Sequence, residues 1–518
     1  MYQKFDQNIT EGILFTDQYQ LTMMQLYYKL GLHNTVVQFD HFFRQYPDYG
    51  NHRAGYCINA GLEWLVDWIL HTKVTKKDIE LLRTQKNKHA KPIFEQDFLH
   101  WLQNDFSLDS LTIAAIPEGR VIHANVSLTV VQGPIAVAQY LETILLNQLN
   151  YQILIATKSS RLKLICPGQI LLEFGARRAQ SNGAVAGTRA ALIGGADFSS
   201  NVGISHLLGL EPKGTHAHSM IQLFLSLGMS ELDAFYAFAD IYPDNCILLV
   251  DTINTLESGI PNAIKVFEKL KQKGFIPSGI RIDSGDLAYL TVQAVHMLNK
   301  AGFPEVKVFL TNELDELSLW QIISQIKEEA QKFELDPDQI IERLSIGVGT
   351  KLITSSGSPS LGGVYKLVAR LEKEHWIPSI KISENREKIP NPGNKNVWRI
   401  YNNQDKAIAD LLSLKDENIS QEKDITLQHP LDQTRRRLIK KTSVSSVESL
   451  LVTIVDNGKL DYTFPTLAEI REIRDQDLER LDTGVKRLIN PHIYHVSLTP
   501  KLSQLKHEMI QSIRYNEK

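Results

Sequence analysis

Apolar positions early in the chain alternate between helical and strand spacing. Residues 21–30 and 60–70 repeat their apolar side chains every three or four positions and predict helices, whereas 36–43 predicts a strand. Residues 76–83 and 94–102 predict further helices, 111–116 and 127–131 short strands, and 136–165 a long helical region. The texture then changes. Seven short apolar segments follow, at 170–174, 196–198, 212–213, 247–250, 279–282, 306–310 and 344–346, most ending in a polar or glycine cluster. Helical patterns such as 256–271 and 287–300 separate most of them. Strands alternating with helices predict a parallel sheet. Polar clusters just after successive strands are the arrangement of an α/β barrel, whose site lies at the strands' C-terminal ends. The spacing is uneven and 212–213 is weak as a strand. An irregular, incomplete barrel therefore fits better than an eightfold one, with an open doubly wound sheet as the alternative.

Beyond residue 360 the strand pattern returns, at 365–371, 377–382, 397–401 and 408–412. Residues 384–395, rich in Pro, Asn and Lys, read as an exposed loop, and the polar 421–434 as a linker. Residues 467–488 and 502–513 read as charged amphipathic helices, whose charges suit a solvated face. With 518 residues the chain is too long for one simple domain. A net charge of −3 gives no reason to expect nucleic acid or an anionic membrane as partner. Cys57, Cys166 and Cys246 are odd in number and lack CxxC spacing, so reduced thiols in a cytoplasmic protein are expected. Met1-Tyr2-Gln3-Lys4-Phe5-Asp6 lacks the apolar core of a signal peptide, and no run approaches the ~18 apolar residues of a membrane span.

Lys213-Gly214-Thr215-His216-Ala217-His218-Ser219 places two imidazoles two positions apart, just before an apolar helical run. Few side chains other than His accept and release a phosphoryl group near neutral pH. A Gly-Thr turn opening a helix also offers free N–H groups to an anion. The same pair reads alternatively as metal ligands or as polar residues at a helix start. Asp251 and Asp283 each follow an apolar strand, so a barrel would point both into one mouth with His218. One carboxylate beside an imidazole fixes its tautomer, and a second could hold Mg²⁺ or ribose hydroxyls. Both also precede helices and read alternatively as N-caps. Arg281, on a strand, needs a carboxylate partner from the protein or a ligand. Arg177 and Arg178 suit phosphate, and Phe174 beside them suits either ring stacking or core packing. Gly347 and Gly349, with Gly362 and Gly363, would let backbone N–H groups approach phosphate oxygens. For Asp17 and Tyr19 nothing local separates a functional from a structural reading.

Taken jointly, these segments resemble the nicotinate phosphoribosyltransferases, of the longer bacterial kind, from about Phe15 to the C-terminus. The resemblance rests on Phe15-Thr16-Asp17-Gln18-Tyr19-Gln20-Leu21-Thr22-Met23, Phe39-Asp40-His41-Phe42-Phe43-Arg44, Glu173-Phe174-Gly175-Ala176-Arg177-Arg178-Ala179-Gln180, the segment 213–219, Arg281-Ile282-Asp283-Ser284-Gly285-Asp286-Leu287, and Gly363-Val364-Tyr365-Lys366-Leu367-Val368-Ala369. It implies the irregular α/β barrel of type II phosphoribosyltransferases beside an α/β sandwich built from both chain ends. The expected domains are 1–133 with 360–440 as the sandwich, 134–359 as the barrel, and 441–518 as a C-terminal helical segment.

The resemblance also implies a reaction: nicotinate displaces pyrophosphate from phosphoribosyl pyrophosphate (PRPP), with Mg²⁺, giving nicotinate mononucleotide for NAD synthesis. ATP hydrolysis would be coupled through a transient phosphohistidine at His218, leaving His216 without a role. Phe174 is expected to stack on the pyridine ring, and Tyr19 of a neighbouring subunit to cover its other face, making a homodimer with shared sites. Arg281 is expected to bind the nicotinate carboxylate, Asp283 and Asn312 the ribose hydroxyls, and Asp251 to orient His218. Arg177 and the four glycines are expected to face phosphates. The related nicotinamide enzyme presents an aspartate where this chain has Ser200; a hydroxyl does not repel a carboxylate, which favours the acid over the amide. Three other readings remain: the nicotinamide enzyme itself, an inactive binding homologue, and transfer without ATP as in quinolinate phosphoribosyltransferase.

Overall fold

The computed structural model describes residues 11–432 and 434–516; Met1-Tyr2-Gln3-Lys4-Phe5-Asp6 lies outside the described residues. The chain divides into two units, Met1–Leu154 with Ser360–Lys518, and Ile155–Pro359. The boundary falls inside the helix Glu142–Ile165, not at 133/134 as the sequence suggested.

The unit Ile155–Pro359 is built on a six-stranded parallel sheet. In spatial order its strands are Phe198–Ser199, Ile170–Glu173, Leu344–Val348, Lys307–Leu310, Gly279–Ile282 and Ile247–Leu249. The sheet is the curled, incomplete barrel that the spacing predicted. Six of the seven apolar segments are strands; Pro212–Lys213 is not. Burial explains the short apolar runs. Leu171, Leu248, Ile280, Ile282, Val308, Leu310 and Ile346 are almost wholly buried, as strands covered on both faces require. The intervening helices bury one stripe each. Ile260–Gln272 turns Ile260, Ala263, Val266, Phe267 and Leu270 inward. Burying side chains of the size of Val266 or Phe267 contributes about 1.5–3 kcal/mol apiece. Helix starts are locally specified: Ser230 with Asp233, and Asp315 with Ser318, form reciprocal capping boxes. Asp286 caps the helix Leu287–Lys300, and Asn254 caps the turn Thr255–Gly259. The N-cap alternative for Asp283 and Asp251 is therefore wrong, which leaves both carboxylates to other partners.

In the other unit, both chain ends contribute to one seven-stranded sheet. Its order is His375–Pro378, Gly363–Glu372, Val36–Phe43, Thr129–Pro134, Thr112–Ala115, Val452–Asp456 and Lys459–Leu460. A six-stranded sheet from Lys395–Asn402, Ala407–Leu414, Asp424–Gln428, Arg436–Lys440, Val444–Ser449 and Val496–Leu498 shares its core, through Val397, Leu412 and Leu498. Two expectations are corrected here. Residues 421–434 are not a linker, because Asp424–Gln428 is a paired strand with Ile425 and Leu427 buried. Nor is 441–518 purely helical, since it supplies four strands before and between its helices Leu467–Arg480 and Pro500–Asn516. The first of these helices also turns charge inward. Asp477 Oδ2 accepts from Arg120 Nε at 2.8 Å and from Arg399 Nη1 at 3.2 Å, while Arg399 forks onto Asp410 at 2.8 and 2.9 Å. A solvated face is thus an incomplete account of that helix's charges. The three cysteines are free and buried. No helix among the described residues is long and apolar enough to cross a membrane.

Candidate active site

The parallel register decides which side chains meet. Leu172 pairs with Phe198 and Gly347, Phe309 with Ser345 and Arg281, and Arg281 with Leu249. Paired residues of parallel strands share a face, and side chains alternate along each strand. Two positions on, at the strands' C-terminal ends, the same face therefore carries Ser200, Phe174, Thr311, Asp283 and Asp251.

His218 opens the helix His218–Ser226, whose N-cap, Ala217, has no side chain able to cap it. Its Nδ1 is 3.0 Å from Thr252 Oγ1, and its Nε2 is 3.8 Å from both Asp251 Oδ1 and Asp283 Oδ2. Asp251 is held firmly by its other oxygen: Oδ2 accepts the Asp283 N–H at 3.0 Å and the Ser284 hydroxyl at 2.6 Å. Its Oδ1 is buried and has no hydrogen-bond partner among the described residues. Arg281 donates from Nε to Thr311 Oγ1 at 2.9 Å, from Nη1 to Thr215 Oγ1 at 3.1 Å, and from Nη2 to Asp283 Oδ1 at 2.9 Å. The partner that a strand arginine needs is thus Asp283; Nη1 also reaches the His216 carbonyl at 3.5 Å, which leaves one N–H on Nη2 for a ligand. Burial would raise the Asp283 carboxyl, but the Thr311 hydroxyl and the Arg281 charge outweigh it and hold the group below the usual carboxylate range.

Asn312 follows Thr311 with φ of +125°, a strained conformation for a residue with a side chain, stabilised by the Leu314 N–H donating to its carbonyl at 2.6 Å. It is exposed, as are Arg177 and Arg178, while Phe174 and Ser200 are half-buried. Behind them Glu173 is fully buried and anchors the loop, accepting from Ser199 Oγ at 2.7 Å, Thr188 Oγ1 at 3.0 Å and the Gly175 N–H. Gly347 has a packing reason for lacking a side chain: a Cβ there would lie 2.7 Å from Thr311 Cγ2 and 2.8 Å from the Phe174 ring. Gly349 precedes the short helix Thr350–Ile353. Tyr19, Gly362 and Gly363 belong to the other unit. There the Tyr19 hydroxyl donates to Glu142 Oε2 at 2.9 Å, and a Cβ on Gly363 would meet Asn150 Oδ1 at 2.1 Å.

The geometry thus unites His218, Asp251, Arg281 and Asp283. Sequence reasoning missed Thr215, Thr252, Ser284 and Thr311, the hydroxyls that fix these groups. The available signal was position: each lies within three residues of a charged site residue or on the same strand face. His216, left without a role by the sequence, is half-buried with its ring edge-on to Phe238 at 4.9 Å.

Residues 14–150 match the nicotinate phosphoribosyltransferase N-terminal domain model, and 394–506 the C-terminal domain model. The chain is 35% identical to the Bacillus subtilis nicotinate phosphoribosyltransferase over 504 residues, covering 97% of this chain and 96% of that one. It is 32% identical to the Caenorhabditis elegans enzyme, covering 96% and 93%. The crystal structure of human nicotinic acid phosphoribosyltransferase superimposes with a TM-score of 0.76 at 27% identity, covering 95% of this chain and 99% of that one.

Proposed function

The chain belongs to the nicotinate phosphoribosyltransferase family, enzymes of NAD biosynthesis, and on that premise we propose that the barrel mouth couples ATP hydrolysis to phosphoribosyl transfer through His218. The β–γ phosphoanhydride bond of ATP breaks as an imidazole nitrogen of His218 takes the phosphoryl group, and ADP leaves. The pyridine nitrogen of nicotinate attacks C1 of PRPP, the C1–oxygen bond to pyrophosphate breaks, and nicotinate mononucleotide forms. Water then takes the phosphoryl group from the histidine, releasing phosphate. The observation that carries this reading is one imidazole standing 3.8 Å from each of two carboxylates, beside a guanidinium.

Each side chain then has a task. Asp251 orients His218 and stabilises its positive charge. Arg281 recognises the nicotinate carboxylate with its charge and the Nη2 N–H that Asp283, the threonines and the His216 carbonyl leave over, and Phe174 stacks on the ring. Asp283 and Asn312 hold the ribose hydroxyls. Arg177, the N–H groups opening the His218 helix, and Gly349 face phosphates; Gly347 serves by admitting Phe174. Tyr19, 47% exposed, reaches a neighbouring subunit's nicotinate in a homodimer. The catalysis is mainly positioning and oriented charge around an oxocarbenium-like centre.

Mg²⁺ fits in one mode. Among the described residues no group of three or more His, Cys, Asp or Glu forms a metal site. Mg²⁺ is commonly held by one or two carboxylates plus substrate phosphates, however, and Asp251 has an unpartnered buried oxygen beside Asp283. Those two carboxylates would hold it, where its charge would offset that of pyrophosphate.

The test offers purified protein PRPP and Mg²⁺ with nicotinate or nicotinamide, each with and without ATP. Mononucleotide from nicotinate, increased by ATP, is expected, with acid-labile phosphate from γ-labelled ATP on the wild type and none on His218→Ala. Product only from nicotinamide, or label undiminished in the variant, would overturn the reading.

A further inference from the structure

The motif segment 213–218 is not a strand, yet it sits where the incomplete barrel has its gap. The two outermost strands of the sheet are Phe198–Ser199 and Ile247–Leu249. An outermost strand leaves alternate backbone groups without a neighbouring strand to pair with. Along Ile247–Leu249, the groups of Cys246 and Val250 point inward: Cys246 O accepts from Gly279 N–H, and Val250 N–H donates to Arg281 O. Leu249 lies between them in the alternation and points out to the free edge. Its N–H donates to Nε2 of His216 at 3.1 Å. At the other free edge, Ser199 O accepts the Lys213 N–H at 2.9 Å. Four residues thus reach from one edge to the other, with a backbone amide at one end and an imidazole at the other.

We propose that His216 is a positioning residue, its imidazole standing in for the carbonyl of a missing barrel strand and so fixing the segment that carries His218. Three further contacts support this assignment. The His216 carbonyl and the Thr215 hydroxyl both accept from Arg281 Nη1, at 3.5 and 3.1 Å, so anchoring the His216 ring also sets the arginine's position. Phe238 packs edge-on against the imidazole, with ring centroids 4.9 Å apart. Nε2 accepts, so the neutral ring carries its proton on Nδ1; desolvation keeps the ring neutral by lowering its pKa to about 4. A misplacement of about 1 Å at such a site costs on the order of 10²-fold in rate. The inference rests on the reading that His218 and Arg281 serve phosphoribosyl transfer.

The test uses two amide replacements in the full chain. In His216→Gln the side-chain oxygen stands as many bonds from Cα as Nε2 and can reach Leu249. In His216→Asn it stands where Nδ1 was and cannot. Amide hydrogen exchange across 246–251 reads the edge contact, and kcat with KM for nicotinate reads the positioning. His216→Gln is expected to keep slow exchange and a kcat within about threefold of wild type. His216→Asn is expected to exchange faster and to lose about 10–100-fold in kcat, with His216→Phe behaving alike if it folds. Faster exchange with wild-type kcat in His216→Asn would reduce His216 to a structural residue and overturn the proposal, as would unchanged exchange. If wild-type protein forms no mononucleotide, the functional reading fails by itself, and exchange still decides whether His216 closes the edge.

Discussion

Asp251 Oδ1 stands 3.8 Å from Nε2 of His218 and has no hydrogen-bond partner among the described residues, while its sister oxygen is held by the Asp283 N–H and the Ser284 hydroxyl. The carboxylate is therefore fixed in place with one oxygen left facing the imidazole. A buried acceptor without a donor is costly, and a histidine that becomes cationic during turnover relieves that cost. Asp251→Asn keeps the shape and removes the charge. We expect kcat to fall about 10²–10⁴-fold with a smaller change in KM, measured by steady-state mononucleotide formation. A kcat within twofold of wild type would remove Asp251 from the mechanism.

Ser200 follows the edge strand on the face that carries Phe174. In the proposed binding mode a carboxylate placed there faces the carboxylate of nicotinate, and such a like-charge juxtaposition costs several kcal/mol. Ser200→Asp is expected to lower kcat/KM for nicotinate at least about tenfold and to spare nicotinamide. Equal nicotinate kinetics in parallel assays would place the ring elsewhere.

Gly347 lies against Phe174 and Thr311, and an added Cβ would come within 2.8 Å of the Phe174 ring. Gly347→Ala forces that ring aside. Overpacking of this kind costs about 1–3 kcal/mol, and in the proposed binding mode a displaced Phe174 ring weakens nicotinate binding. A lower denaturation midpoint together with a higher KM for nicotinate is the expected pair. Lost stability with an unchanged KM would separate Phe174 from the substrate.

Acid should destabilise the fold above pH 4. Burial lowers the His41 imidazole from its ordinary 6.5 to about 4, with Asn150 opposing, and lowers His123 well below its ordinary value, with the Arg399 charge adding to the effect. Above pH 6.5 both rings are neutral in native and unfolded chains alike. As pH falls from 6.5 toward 4, the unfolded chain takes up protons that the native one refuses. Stability therefore drops by about 1.4 kcal/mol per pH unit for each histidine. Urea midpoints should be nearly equal at pH 7.5 and 6.5 and then decline through 5.5 to 4.5; a flat or rising series from 6.5 downward would mean that the rings are protonated in the native state.

The alternation that makes the barrel, the helix Leu287–Lys300 to the residue, and the identity of the charged groups at its mouth are legible in the amino-acid order alone. These are local matters: strand and helix periods are written in neighbouring residues, and polar side chains that follow buried strands have few places to go. The polar strand Asp424–Gln428 escaped notice because pairing on both flanks, not its own composition, makes it a strand. Asp477 on a charged helix read as solvated, because its partners Arg120 and Arg399 lie 357 and 78 residues away. His216 was silent for the same reason. Its role depends on a free sheet edge at Leu249, and an edge is a property of how strands are ordered in space. Which strands are outermost, and so which backbone groups need a side chain to complete them, is settled by how the whole chain packs.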